Sequence, residues 1–150
     1  MILSDFKAFP RSGRILGVDW GLRRLGVAVS DPERNFVFVR NTVNFVRGAE
    51  NHADVVADLA KNESVVGIVV GLPLYNDGTD SETTNMVRNF IGVLESKTDL
   101  PICTIEENLT SATAQENMGR VRVHELKERL DSESARVILE NAIAIINRTV

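Results

Sequence analysis

The chain has 150 residues, 43% of them hydrophobic and 25% charged, a net charge of −4 and one cysteine. This length suits one domain with a core large enough to stand without staples, and a lone cysteine excludes an internal disulfide and fits a reducing compartment. The acidic balance argues against bulk nucleic-acid binding, which usually shows a basic excess.

The first thirteen residues, up to the turn at Ser12 and Gly13, read as a loose lead-in to a single domain spanning 1–150. They lack the basic start and apolar run of a signal peptide. RILGVDW (14–20) is apolar and bounded by turn residues, as a buried strand is. LGVAVSD (25–31) reads as a second strand and FVFVRNTVNF (36–45) as a third, in an antiparallel meander. Residues 49–61 place Ala49, Ala53, Val56 and Leu59 or Ala60 at helical spacing. VVGIVVG (65–71) is the continuous apolar run of a strand covered on both faces. The whole apolar stretch 65–74 is too short to span a bilayer, so the expectation is a soluble, cytoplasmic protein with no membrane partner.

LPLYNDGTDS (72–81) reads as a polar loop with a turn at Asn76, Asp77 and Gly78. Residues 81–97 return to a helix, with Met86, Val87, Phe90, Ile91 and Leu94 on one stripe. Pro101 opens a short strand, PICTI, in which Cys103 is a small buried hydrophobe. Thr110 or Ser111 suits the cap of a brief helix reaching Met118. A charged connection follows, and a last helix is expected from Asp131, with Ala135, Ile138, Leu139, Ala142, Ile145 and Ile146 on its apolar face.

The order is therefore three antiparallel strands, then alternating helices and strands. That predicts an α/β fold with a mixed sheet and helices on both faces, the RNase H-like order.

Three acids occupy telling places. Asp19 ends an apolar strand, Glu107 lies just past another, beside Glu106, and Asp131 opens the last helix. In α/β sheets, sites form at the carboxyl ends of strands. Carboxylates converging there would bind hard cations such as Mg²⁺ or Mn²⁺. Two such ions roughly 4 Å apart can activate a water and stabilise the leaving oxygen of a phosphodiester. Each acid also has a plainer reading: Asp131 as a helix N-cap, Asp19 as a turn residue before Gly21, Glu107 as surface charge.

The positive charge is uneven. Residues 1–50 hold eight Lys or Arg against five acids, whereas 51–100 hold three against eight. A further basic group, Arg120, Arg122, Lys127 and Arg129, lies before the last helix. It reads either as solvated surface or, with Arg23 and Arg24 at the first hairpin, as phosphate contacts. His124 in that basic connection reads as a surface histidine and His52 as a structural one.

Four segments carry a resemblance. GVDWGLRRLGVAVSD (17–31), IVVGLPLYNDGTDS (68–81), EENLTSATA (106–114) and RLDSESARVILE (129–140) resemble, in order, the conserved stretches of the YqgF/RuvX family. Its members are pre-16S rRNA nucleases related to Holliday junction resolvases. The likeness runs from about Arg14 to Ile146. It implies Asp19, Glu107 and Asp131 as metal ligands and catalytic residues, and Asn76 in a loop beside the site. It also implies RNA, in particular pre-rRNA, or branched DNA as substrate, and ribosomal precursor particles as a partner. Three positions depart from the family pattern. Its Asp before the catalytic Glu is Glu106, its Arg after that Glu is Asn108, and its Thr after Asp-aromatic-Gly is Leu22. The first two bear on substrate handling.

Two other functions compete. Actin-like nucleotide-binding modules open with a similar strand pair, but they need a hydroxyl where this chain has Leu22 and a second half that 150 residues leave no room for. A non-catalytic nucleic-acid or ribosome-associated factor would suit the acidic charge, yet would gain nothing from three acids near a phosphate backbone. Within the nucleases, a Holliday junction resolvase is the alternative to an rRNA-processing enzyme, and it is expected to be a dimer. The sequence leaves oligomeric state open.

Overall fold

The computed structural model describes residues 1–46, 48, 51–75, 77–108 and 123–149, with side chains over the same ranges except at 108 and 123–132. The described residues form strands β1 (Ile15–Trp20), β2 (Arg24–Ser30), β3 (Val37–Val39), β4 (Val43–Asn44), β5 (Gly67–Leu74) and β6 (Ile102–Asn108). The helices are α1 (His52–Asn62), α2 (Glu82–Glu95) and α3 (Val123–Arg148).

The sheet runs β3-β2-β1-β5-β6, with β4 also on β2. The β1–β2 and β2–β3 pairs are antiparallel, and β5 joins β1 and β6 in parallel. This is the expected mixed RNase H-like sheet. Strand side chains alternate between faces, so the sheet has two cores. Leu16, Val18, Val27, Ile68 and Val70 pack under α1 and α2 with Val56, Val87 and Leu94. Ile15, Ala28, Val69, Cys103 and Ile105 pack under α3 with Ala135, Ile138, Leu139 and Ala142. Helices thus cover both faces, and Cys103 is the buried hydrophobe expected of it. Among the described residues no helix is long and apolar enough to cross a membrane.

Four expectations change. The third strand divides in two. Between the pairs Ala28↔Val39 and Leu25↔Val43, β2 has residues 26 and 27 where its partner has 40, 41 and 42, a one-residue bulge. Bulges sharpen the local twist and re-aim the strand. Strand β5 continues to Leu74, where a loop was expected. Its pairing with β1 ends at Val18↔Val70 while that with β6 runs on to Leu74↔Asn108. Pro73 therefore costs no ladder bond on the open side, and its carbonyl accepts the Thr84 hydroxyl. Thr84 also completes the cap of α2: its N–H donates to the Ser81 hydroxyl (3.1 Å), and the Ser81 N–H donates to its Oγ1 (2.8 Å).

The other two changes concern the chain ends. Helix α3 starts at Val123, eight residues before Asp131. The stretch HELKERL is rich in good helix formers and propagates the helix upstream. The first residues are not loose. Ile102 N–H donates to the Met1 carbonyl and Leu3 N–H to the Ile102 carbonyl, both at 2.8 Å, which pairs them with the outer edge of β6. Phe9 is only 2% exposed. It lies over Gly67, where a Cβ would meet its ring at 2.4 Å.

Phe9→Ala tests that packing. A buried phenylalanine truncated in place costs about 3 kcal/mol or more, so the urea midpoint is expected to fall clearly. A loose lead-in would leave it unchanged.

Candidate active site

Position along the strands decides which acids meet. On the α3 side of the sheet, β1 presents Ile15, Gly17 and Asp19, β5 presents Gly67, Val69 and Gly71, and β6 presents Cys103, Ile105 and Glu107. The buried members of each series lie in the α3-side core, and the period of two places Asp19 and Glu107 on that same face. Val18 pairs with Val70 and Gly71 with Ile105, so Asp19 falls beside Gly71 and Glu107 two residues beyond on the neighbouring strand. Glu107 leans back over Gly71. A Cβ added there would lie 2.8 Å from both Cδ and Oε2 of Glu107 and 2.5 Å from Ile138 Cδ1. Gly71 is thus the space through which the Glu107 carboxylate reaches toward the end of β1. A lone glycine inside an apolar strand is the sequence signal for such a close approach.

Glu107 belongs to β6 and is partly buried, so it is neither past the strand nor plain surface charge. Burial raises its carboxyl from an ordinary value of 4.5 to about 7. No donor or cation among the described residues offsets this. A half-buried carboxylate with a second acid on its face fits a hard divalent cation, which would hold the group ionised. Among the described residues no three His, Cys, Asp or Glu cluster as a metal group. The third expected ligand, Asp131, contributes its backbone alone to the description.

Asp131 lies in the interior of α3, one turn before Ala135. It is therefore not an N-cap, as α3 begins at Val123. Ala135 and Leu139 meet β1 at Gly17: a Cβ there would lie 2.9 Å from Leu139 Cβ and 3.2 Å from the Ala135 carbonyl. Arg23 is exposed at the β1–β2 turn, and Arg24 is half-buried at the start of β2, on the same face as Asp19. Lys127 and His124 lie on α3, their side chains undescribed; Arg120, Arg122 and Asn76 lie outside the described residues. The neighbouring turn is built as expected. Asp77 Oδ1 accepts from the Thr79 N–H (3.0 Å) and hydroxyl (2.6 Å), which lowers its pKa, and Gly78 has φ 83°. Glu106 is exposed on the opposite face.

His52 is structural, as expected. It is buried, stacks on Phe45 with centroids 4.0 Å apart, and places Nε2 2.8 Å from the Gly21 carbonyl. It thereby anchors the turn that follows Asp19 and Trp20.

The raised pKa of Glu107 makes stability depend on pH. Below about 4.5 the carboxyl is protonated in both the folded and unfolded chain. Between about 4.5 and 7 the unfolded chain releases the proton and the folded one keeps it, so metal-free stability falls as pH rises. Glu107→Gln removes this dependence. At pH 8 it is expected to stabilise the metal-free chain by roughly 1–3 kcal/mol, a melting point about 3–8 °C higher. At pH 4.5 the two chains should melt together.

Comparison with known proteins shows the family. A family model described as RuvX, Holliday junction resolvase, matches residues 13–144. A protein of Maridesulfovibrio salexigens named "Putative pre-16S rRNA nuclease" is 36% identical over 133 residues, 87% of this chain and 98% of the relative. Proteins of the same name from Nitratidesulfovibrio vulgaris and Sphingopyxis alaskensis are 40% and 35% identical. They match over 70% and 96% of this chain, and 73% and 95% of their own length. Among solved structures, Thermus thermophilus RuvC aligns with a TM-score of 0.49 at 13% identity, covering 89% of this chain and 90% of that one. The family match takes in all six strands and most of the last helix, and this chain belongs to the RuvX family.

Proposed function

We propose that this chain is a divalent-metal-dependent nuclease that hydrolyses phosphodiester bonds in the 5′-end processing of pre-16S ribosomal RNA. The observation that carries the reading is the half-buried Glu107 carboxylate, leaning over Gly71 on the same sheet face as Asp19 and raised by its burial. The names of the relatives support RNA as the substrate. The reading extends to a cytoplasmic enzyme acting on ribosomal precursor particles.

In this reading Asp19, Glu107 and Asp131 would hold Mg²⁺ or Mn²⁺, two ions in all. Bound there, the metal would supply positive charge for the phosphate oxygens and acidify a water. The protein's part is to hold the carboxylates rigid and ionised. Glu107 must release its proton before it can bind a cation, so metal affinity rises with pH through about 7 and then levels off. Arg23 and Arg24, beside Asp19 on the hairpin, position the substrate backbone as charge-assisted donors, and Arg120, Arg122 and Lys127 extend that grip. In the same reading Asn76 contacts the substrate.

The description of the matching family favours a second reading, cleavage of a DNA four-way junction. The two separate in one assay. With magnesium or manganese, short RNA spanning a 16S precursor end is expected to be cut and a four-way junction left intact. Chelation, Asp19→Asn or Asp131→Asn should each reduce cleavage to background. Cleavage undiminished in excess EDTA would exclude the mechanism, and cleavage of the junction alone would select the second reading.

Substrate grip is tested by salt. Replacing Arg120 and Arg122 by glutamine should weaken binding to single strands and lower the salt slope by roughly 0.7 per lost phosphate contact. An unchanged slope returns both residues to solvated surface.

A further inference from the structure

Strand alternation gives the end of β1 a second use. Asp19 faces α3, and the next residue, Trp20, faces the α1–α2 side. There a groove of about 510 Å³ opens between the hairpin tip and the two helices. Its walls are Trp20, Leu22, Met86, Phe90 and Val93. Leu22, Met86 and Val93 are 51%, 43% and 50% exposed, so one groove gathers three bare apolar side chains.

The polar groups in the groove are mostly uncharged. Asn51 and Asn89 offer amides, and the charged pair present, Asp54 and Lys97, is closed on itself at 2.6 Å. Behind the wall, His52 lies 5.2 Å from Trp20 and stacks on Phe45, so the aromatic side is packed in advance. Arg23 and Arg24 follow Leu22 on the same hairpin, Arg23 exposed at the turn and Arg24 half-buried at the start of β2 on the Asp19 face. Leu22 is three residues from Asp19, at most ~10 Å along the chain.

We propose that this groove receives one unstacked base of a single-stranded nucleic acid, whose backbone crosses the hairpin at Arg23 and Arg24 to reach Asp19 and Glu107. The inference rests on the nuclease reading and adds a base-binding subsite to it. A nucleobase has apolar faces for Trp20, Leu22 and Met86 and a hydrogen-bonding edge for the two amides, whereas a phosphate would find the groove's cation, Lys97, already paired with Asp54. The volume suits a small planar group rather than a docked helix, which needs a longer trough. Such a subsite tolerates any sequence, because every base has a π-face.

Trp20 is the chain's single tryptophan, so its fluorescence reports on the groove alone. The full chain in EDTA, where the strand stays intact, is titrated with a single-stranded RNA hexamer and with the same hexamer made abasic. A fluorescein label on each strand measures binding independently by anisotropy. The hexamer is expected to change Trp20 emission saturably and the abasic strand to leave it unchanged. Leu22→Ser with Met86→Ser, two exposed and uncharged changes, should weaken hexamer binding about 5- to 100-fold at an unaltered salt slope, since a base contact is lost and no phosphate contact is. Binding by anisotropy with silent Trp20 emission, or with full affinity in the double variant, overturns the subsite and leaves the nuclease reading standing. A groove built for a protein partner gives that second result. Failure of any strand to bind, in EDTA or with magnesium, overturns both.

Discussion

Everything at the candidate site depends on how closely α3 approaches the sheet. Two glycines permit it. At Gly17 the helix comes so near that a methyl group would strike Leu139 and the Ala135 carbonyl, and at Gly71 it would strike Ile138 and Glu107. Because β1 and β5 are bare at these points, the helix lies directly on their backbones, and the end of β6 can lean inward over β5. Interiors are packed too tightly to absorb an added methyl by small adjustments. A side chain at Gly71 would push Glu107 outward or lift the helix, and either movement separates the two acids. The glycines are therefore part of the site although they carry no chemistry.

That close approach also sets the site's electrostatics. The helix excludes water from Glu107, and exclusion raises the carboxyl to about 7. The group is thus poised between its two states near neutral pH, and in the metal-free chain its burial costs stability wherever it is ionised. The penalty is local. Three other acids toward this end of the sheet are engaged: Asp80 with Arg88, Asp77 with Thr79, and Asp54 with Lys97.

The strands and helices that bury a periodic stripe were legible in the sequence. The β1–β2 hairpin, α1 and α2 lie close to where apolar spacing puts them, because each signals itself locally. What was not legible depended on neighbours. The bulge opposite residues 26 and 27 needs the pairing register. The extension of β5 through Pro73 needs β1 to end first, leaving one edge open. The docking of the first residues needs the free edge of β6, and no local signal announces it. At the site, the face shared by Asp19 and Glu107 follows from strand alternation once both strands are known. The start of the last helix was misplaced because Asp131 is a good cap and the charged stretch before it resembled a connection. Its glutamates, leucines and lysine in fact favour helix. The roles of Gly71 and of the groove beside Trp20 came from packing alone.

Asp19 and Trp20 are neighbours in sequence with opposite destinations, one toward α3 and the other toward α1 and α2. A strand has no tolerance for error in this respect, since a slip of one residue would exchange them and bury the acid among apolar side chains. The register of β1 must therefore be held at both ends. At its start, the Ile15 N–H donates to the buried Ser30 hydroxyl at 2.9 Å, which ties the strand to the far end of β2. At its finish, the Gly21 carbonyl meets His52 Nε2, which ties the turn to α1. Between these pins the β1–β2 ladder and the parallel pairing to β5 leave the strand one alignment. Gly21 itself allows the chain to turn this tightly, for a Cβ there would lie 2.7 Å from the Arg24 carbonyl. A buried histidine on α1 is in this way as much a condition of the carboxylate geometry as the ladder itself. It holds the residue after Trp20, Trp20 holds its face, and the face of Trp20 decides that of Asp19.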